Sequence, residues 1–216
     1  MILCFSGGVD SFVAYHYLGE PQTIYFDLGT PYSKKELRIV NELVPSTIID
    51  YSLRLGSRQI GEKAYVPFRN LYIAMLASKF SDDVVIVGIK GDNVSDKNPE
   101  IFEEFSLLLS KMEGRRITIT SPFWDKGKSD LVRWYLSRGG FVDSLLKTVS
   151  CYSQEEINYC GKCPACFRKW IAFKLNGIFL EFENKKLMQE YYQAALNHEY
   201  DEQRNKEIME CVLPLI

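Results

Sequence analysis

Continuous runs of apolar residues alternate along the chain with segments in which apolar positions recur at helical spacing. The runs are short, as expected for strands of a parallel sheet that is covered on both faces. Strands that alternate with helices at these lengths predict a doubly wound, mainly parallel α/β fold with right-handed crossovers. The five predicted strands span residues 1–5, 23–28, 47–51, 83–89 and 116–120.

The segments between these runs predict the helices that cover the sheet. Proline opens several of them and glycine closes others. After residue 145 the strand pattern stops, so residues 1–145 are interpreted as an α/β domain and residues 146–216 as a smaller region packed on it. The predicted helices span 11–18, 31–43, 66–77, 99–112 and 129–137, followed by a helix that runs through 168–176 and by helices at 181–198 and 201–211.

The connection that follows the third predicted strand is long and irregular, and it runs through Gly56 and Gly61. A loop of this length inside a compact domain is more often a functional lid than a plain link. We therefore predict that this segment covers the functional site.

The overall composition is that of an average globular protein. Of the 216 residues, 46% are hydrophobic and 25% are charged, and the formal net charge is -2. The chain has no apolar run of about 18 residues and no signal-peptide pattern, which predicts a cytoplasmic protein without a membrane span. The absence of a basic block favours a small-molecule substrate over nucleic acid, although a local basic patch remains open.

A glycine-rich turn stands between the first strand and the first helix. Ser6, Gly7 and Gly8 are followed by Asp10 and Ser11. Two adjacent glycines allow backbone conformations that are closed to residues with a Cβ atom, and the N–H groups of the helix start can converge on one anion. The pattern resembles the pyrophosphate loop of the ATP pyrophosphatases and lacks the Gly-Lys-Ser/Thr ending of a Walker A loop. The alternative is an ordinary strand-to-helix turn.

Polar residues also follow the other strands, at the sheet edge where open α/β proteins bind ligands. Asp27 ends the second strand, with a turn role as its alternative. Arg69, Asn70 and Lys128 stand in the first turns of helices, where a cation opposes the helix dipole, so an anionic or amide-bearing partner is favoured over solvated side chains. The loop at 90–98 is rich in carboxylates and amides.

Four of the six cysteines cluster in one short segment. Cys151, Cys160, Cys163 and Cys166 have the spacing C-x8-C-x2-C-x2-C. Four thiolates without a nearby histidine predict a closed tetrahedral Zn²⁺ site with a structural role. An iron–sulfur cluster uses similar ligands and stays open as the alternative.

These motifs occur together in an order that resembles the 7-cyano-7-deazaguanine (preQ0) synthase family of queuosine biosynthesis, a family of pyrophosphate-loop enzymes. The resemblance covers about residues 1–175. It rests on the loop at 5–11, Val-Pro-Phe-Arg-Asn at 66–70, Lys128 before Ser-Asp-Leu-Val, and Ser-Cys-Tyr at 150–152 with the cysteines at 160–166. It implies a fold like that of the adenine nucleotide alpha hydrolases.

The resemblance implies an activity as well. The family activates 7-carboxy-7-deazaguanine with ATP as an acyl-adenylate, forms the amide with ammonia, and dehydrates the amide to the nitrile in a second ATP-dependent step. ATP, Mg²⁺ and structural Zn²⁺ are the implied cofactors, and the partners are these small molecules, with a homodimer as an open possibility.

By the same resemblance, site residues can be assigned. Lys128 and Arg69 are expected to stabilise charge in catalysis, and the four clustered cysteines to bind the metal. Contacts with the acceptor are assigned to Arg69, Asn70, Asp92, Asp96 and Glu100. The ATP-binding residues are Phe5, Ser6, Gly7, Gly8, Val9, Asp10, Ser11 and Asp27.

Two departures distinguish this chain from the family pattern. A Tyr-Pro-Asp-Cys stretch is replaced by Asn98-Pro99-Glu100-Ile101, and Gly-Gln after the second strand is replaced by Gly29-Thr30. A divergent or phage-type member is therefore a second interpretation, one that stops at the amide or uses another carboxylate or tRNA. A nucleotide-binding relative without turnover is the third.

Overall fold

The computed structural model describes residues 1–58, 66–92, 94–153 and 155–215. Its centre is a five-stranded sheet in the order β3-β2-β1-β4-β5, and every neighbouring pair is parallel. The predicted fold class is therefore confirmed. The strands are β1 (Ile2–Cys4), β2 (Gln22–Phe26), β3 (Ile48–Asp50), β4 (Asp83–Ile86) and β5 (Thr118–Thr120).

Strand order creates a topological switch point at the centre of the sheet. The chain starts at β1, adds β2 and β3 on one side, and then returns to add β4 and β5 on the other. Register places Cys4 beside Ile24 of β2 and Ile86 of β4. The carboxyl ends of β1 and β4 therefore lie next to each other, which is where ligands bind in open α/β sheets.

Most helices lie close to their predicted positions. A short helix at Val142–Lys147 was not predicted, and β4 ends at Ile86 although the apolar run continues to residue 89. The helix predicted at 181–198 is shorter and spans Lys185–Leu196. The helices are α1 (Val9–Tyr17), α2 (Ser33–Leu43), α3 (Arg69–Ala77), α4 (Pro99–Glu113), α5 (Lys128–Ser137), α6 (Val142–Lys147), α7 (Pro164–Lys174), α8 (Lys185–Leu196) and α9 (Glu202–Val212).

Helices cover both faces of the sheet, as the continuous apolar strands require. One face buries Leu3 and Val85 under α1, α2 and α5, and the other buries Ile2 and Val84 under α3 and α4. A third apolar cluster joins α7, α8 and α9 around Trp170. Helix α7 also packs against α5 of the first region. The division of the chain into two regions at residue 145 stays a prediction.

The predicted lid falls largely outside the described part of the chain. Gly56 begins a short 3₁₀ turn, Gly56–Arg58, while Gly61 lies in the range 59–65, outside the described residues. Among the helices that are described, none combines the length and the hydropathy needed to cross a membrane.

Candidate active site

The turn after β1 has the geometry of an anion-binding loop. Gly7 has φ +70°, and a Cβ atom there would lie 3.2 Å from Cγ2 of Ile39, so both conformation and packing favour glycine. Ser11 Oγ donates to the carbonyl oxygen of Gly8 at 3.1 Å and accepts a hydrogen bond from the Ser6 N–H at 3.3 Å. No side chain caps the start of α1 within the described residues, which leaves its N–H groups available to a ligand.

A cavity of about 310 Å³ opens at this edge of the sheet. Most of the residues predicted to bind ATP or the acceptor line this cavity. Gly7, Asp27, Asp96 and Glu100 are not among the described residues that line it. The predicted residues that do line it are Phe5, Ser6, Gly8, Val9, Asp10, Ser11, Arg69, Asn70, Asp92 and Lys128.

The predicted residues outside the cavity wall have local contacts. Asp27 accepts a hydrogen bond from the Gly29 N–H at 2.9 Å and lies 3.7 Å from Arg54. Asp96 accepts hydrogen bonds from the backbone N–H and the side-chain amide of the buried Asn70, at 3.0 and 2.8 Å. Glu100 is exposed in the first turn of α4. The roles assigned to these three carboxylates in ligand binding stay predictions.

Lys128 and Asp10 form an ion pair that joins the first turns of α5 and α1. A cation at the start of a helix is unfavourable, so the lysine depends on this partner or on an anionic ligand. Both side chains line the cavity. The pair therefore places a positive charge directly beside the glycine-rich loop.

A second charged group lies across the cavity, and sequence reasoning found only one of its members. Asp92 is 2.6 Å from Lys97 and 3.9 Å from Arg168 on α7. Burial alone would raise the pKa of Asp92, but the two cations outweigh it and lower that pKa below its usual value. Arg168 follows the last clustered cysteine by two residues, a position that carried no signal of its own.

Glu36 was also missed. It lies on α2, lines the cavity and accepts a hydrogen bond from the hydroxyl of Tyr25 at 2.9 Å. Burial raises the pKa of Glu36 to about 7, although Tyr25 and Arg69 act in the opposite direction. In the sequence it resembles any other charged residue of an amphipathic helix, so periodicity could not single it out.

The four clustered cysteines meet at one point behind the cavity. Their sulfur atoms all lie within 4.8 Å of one another, and Cys160 Sγ is 3.8 Å from Cys166 Sγ. Neighbouring sulfur atoms of Cys151 and Cys166 lower the pKa of the Cys163 thiol well below its usual range. The cluster could bind a metal ion, because thiolates are strong metal ligands and all four can reach one centre.

Comparison with known proteins places this arrangement in a family. The sequence profile described as "Queuosine biosynthesis protein QueC" matches residues 22–177. This chain belongs to that family. The match includes Lys128, Arg168 and the clustered cysteines, whereas the glycine-rich loop precedes its first residue. The resemblance predicted from the motifs is confirmed.

Individual relatives of the QueC family are named 7-cyano-7-deazaguanine synthase. The protein of Methanocaldococcus jannaschii is 30% identical over 135 residues, which cover 54% of this chain and 58% of that protein. The protein of Rickettsia prowazekii is 28% identical over 215 residues, covering 80% and 93%. The protein of Psychromonas ingrahamii is 24% identical over 212 residues, covering 82% and 94%. Two of these alignments span nearly the whole relative, and the first spans less than two thirds.

Proposed function

We propose that this protein is an ATP-dependent ligase that converts 7-carboxy-7-deazaguanine to the amide and then to the nitrile preQ0. Membership of the QueC family and the names of its relatives support this product. The observation that carries the proposal is that Ser6, Asp10 and Lys128 line one cavity at the switch point of the sheet. A loop suited to phosphates thus opens onto a space of ligand size.

In the first step, a carboxylate oxygen of the acceptor attacks the α-phosphorus of ATP, and pyrophosphate leaves with the bridging oxygen. The N–H groups at the start of α1 bind the phosphates, with hydroxyl groups of Ser6 and Ser11 beside them. Lys128 and Arg69 stabilise the negative charge that develops on pyrophosphate. Asp10 would hold Mg²⁺, which commonly binds through one carboxylate plus phosphates and offsets their charge.

In the second step, ammonia attacks the acyl carbon, AMP leaves with the anhydride oxygen, and one proton is lost. In the dehydration, the amide oxygen attacks the α-phosphorus of a second ATP and pyrophosphate leaves. AMP then carries that oxygen away while the nitrogen loses its two protons, and the nitrile forms. Neither step requires a protein nucleophile. Catalysis then depends on positioning the reactants and stabilising charge.

We propose that the clustered cysteines hold a structural Zn²⁺ ion. Tetrahedral zinc with Zn–S distances near 2.3 Å places its sulfur ligands about 3.8 Å apart, and the distance from Cys160 to Cys166 is 3.8 Å. An iron–sulfur cluster fits less well, since its cysteines are divided among two or four irons, which holds some of the sulfur atoms further apart than the 4.8 Å found here. Four protein ligands leave no position for water, so the ion supplies stability.

The second candidate function is that of a ligase that stops at the amide, and one observation favours it. In the Asn98-to-Ile101 stretch, Asn98 caps α4 by accepting a hydrogen bond from the Ile101 N–H at 2.9 Å, and Glu100 is exposed. The stretch that departs from the family pattern therefore forms a helix start. A pocket shaped differently in this region could hold the amide less well for the second activation.

Mass spectrometry of a reaction with purified protein, Mg-ATP, ammonium and 7-carboxy-7-deazaguanine tests both candidates. We expect AMP together with a product at the mass of the nitrile. Accumulation of the amide would support the second candidate. If AMP forms only with another carboxylate, the substrate is wrong, and if no AMP forms with any carboxylate, the ligase proposal is contradicted.

A further inference from the structure

Lys169 is a buried cation that the proposed chemistry does not use. It lies on α7 with 1% of its surface exposed. Its Nζ donates hydrogen bonds to the carbonyl oxygen and the hydroxyl of Thr148, at 2.6 and 2.9 Å, and to the carbonyl oxygen of Leu146 at 3.3 Å. All three ammonium protons therefore have acceptors at the carboxyl end of α6, where a positive charge is favourable.

The residue that follows Thr148 touches the glycine-rich loop directly. Val149 donates its backbone N–H to the carbonyl oxygen of Gly7 at 2.9 Å. The carbonyl oxygen of Val149 lies 3.3 Å from the position that a Cβ atom on Gly8 would take. Residues 149–152 then continue along the wall of the cavity. The segment that Lys169 holds is therefore the support of the loop.

The N-terminal end of α7 lies in the cysteine cluster. Cys163 caps this helix by accepting a hydrogen bond from the Cys166 N–H at 3.5 Å, and Cys166 lies in its first turn. Lys169 follows Cys166 by three residues, about one helical turn. One rigid helix thus connects the cluster to the support of the loop.

We infer that Lys169 is a positioning residue that fixes the glycine-rich loop relative to α7. Removal of its ammonium group leaves two carbonyl oxygens and a hydroxyl without their partner in a buried place, so the end of α6 and Val149 must move. The loop then loses its support, and the N–H groups that bind phosphate lose their alignment. This inference rests on the proposed function, because it assumes that the loop binds ATP.

Lys35 provides a matched control. It lies on α2 with 2% of its surface exposed, and its Nζ also donates to three carbonyl oxygens, those of Ser153, Glu155 and Ile157. Those acceptors belong to the connection between the first two clustered cysteines, and none of the three lines the cavity. Lys35→Met and Lys169→Met therefore each remove a buried lysine whose Nζ has three acceptors, and only the second removes the support of the loop.

Calorimetric titration with the non-cleavable analogue α,β-methylene-ATP and Mg²⁺, on full-length protein with its metal content measured, tests the inference. Lys169→Met is expected to raise the Kd about tenfold, the effect typical of removing a group that orients a ligand-binding element. Lys35→Met is expected to keep the Kd within about twofold of wild type. Thr148→Val removes one acceptor and keeps the lysine, so a smaller increase of about threefold is expected.

The outcomes are distinguishable. Equal Kd values for Lys169→Met, Lys35→Met and wild type would overturn the positioning role while leaving ATP binding intact. If Lys169→Met does not fold, Thr148→Val decides the question, and a wild-type Kd in that variant counts against the inference. If wild-type protein does not bind the analogue, the proposed function itself fails and the inference fails with it.

Discussion

Two walls of the cavity are held in place in different ways. The glycine-rich loop takes its shape from local contacts, with Gly7 at φ +70° and serine hydroxyl groups bonded to the same turn. The facing wall at 149–152 has no helix or strand, and contacts from other elements hold it, chiefly those of Lys169 with the adjacent Thr148. The conformation of the loop therefore survives changes elsewhere, whereas its position against the facing wall, fixed by the hydrogen bond from Val149 to Gly7, depends on the assembled fold.

The largest expected effect is on the distant supports of the second wall. Cys163→Ser removes one thiolate from the cluster, and structural zinc sites contribute on the order of 10 kcal/mol to folding. We expect loss of both the metal and the cooperative thermal transition, measured by metal analysis and circular dichroism. Cys211→Ala is the control, because Cys211 is buried outside the cluster. An unchanged Tm in Cys163→Ser and a metal-free wild type would contradict the zinc proposal.

The next effect is on the loop, and it should be far larger in activity than in stability. Ser6→Ala combined with Asp10→Ala removes the side-chain oxygens at the phosphate site and leaves the glycine turn intact. AMP formation is expected to fall at least about 100-fold, while the fold is retained and the Tm falls only by the effect of leaving Lys128 without its ion-pair partner. The exposed pair Ser137→Ala and Asp143→Ala is the control. Undiminished AMP formation would remove the loop from the mechanism.

A smaller effect on stability is expected at Lys35. Lys35→Met leaves three carbonyl oxygens without their buried donor, so the free energy of unfolding should fall by about 2–3 kcal/mol in urea titrations. The neighbouring Lys34 is exposed, and Lys34→Met should change the free energy of unfolding by less than about 0.5 kcal/mol. Equal stability of the two variants would mean that the buried contacts of Lys35 do not stabilise the connection at 153–157.

The smallest effect concerns pH. Because the pKa of Glu36 is raised to about 7 from a usual 4.5, the folded protein keeps a proton that the unfolded chain releases between these values. The free energy of unfolding should therefore fall as the pH rises from about 4.5 to 7 and then level off. Glu36→Gln keeps an acceptor for Tyr25 and should lack this slope. An identical slope in both proteins would contradict the assignment.

Sequence reasoning succeeded where a signal is local. The apolar runs predicted five parallel strands, and Pro99, Gly7 and Gly139 mark ends or turns through their own backbone preferences. It failed where a segment was too short for periodicity, as in α6 with six residues. It also extended β4 to residue 89, because the apolar run continues past the regular strand to Ile89, which forms an isolated parallel bridge with Phe123.

The site could be predicted only in part for the same reason. The loop residues, Arg69, Asn70 and Lys128 carry signals in adjacent positions, and they line the cavity. Glu36 and Arg168 carry none, because what distinguishes them is burial beside residues far away in the chain. Asp96 holds Asn70 through two hydrogen bonds, a contact that composition could not indicate, and its role in ligand binding stays a prediction.

By itself the sequence determined the order of strands and helices, the glycine-rich turn and the spacing of four cysteines, since each depends on neighbouring residues and their conformational limits. The tertiary structure alone decided which charges face one another across the cavity and which lysines are buried. Hydrogen bonds such as those from Lys169 to Thr148 join positions 21 residues apart. Their strength comes from exclusion of water, which exists only once the helices and the sheet have packed.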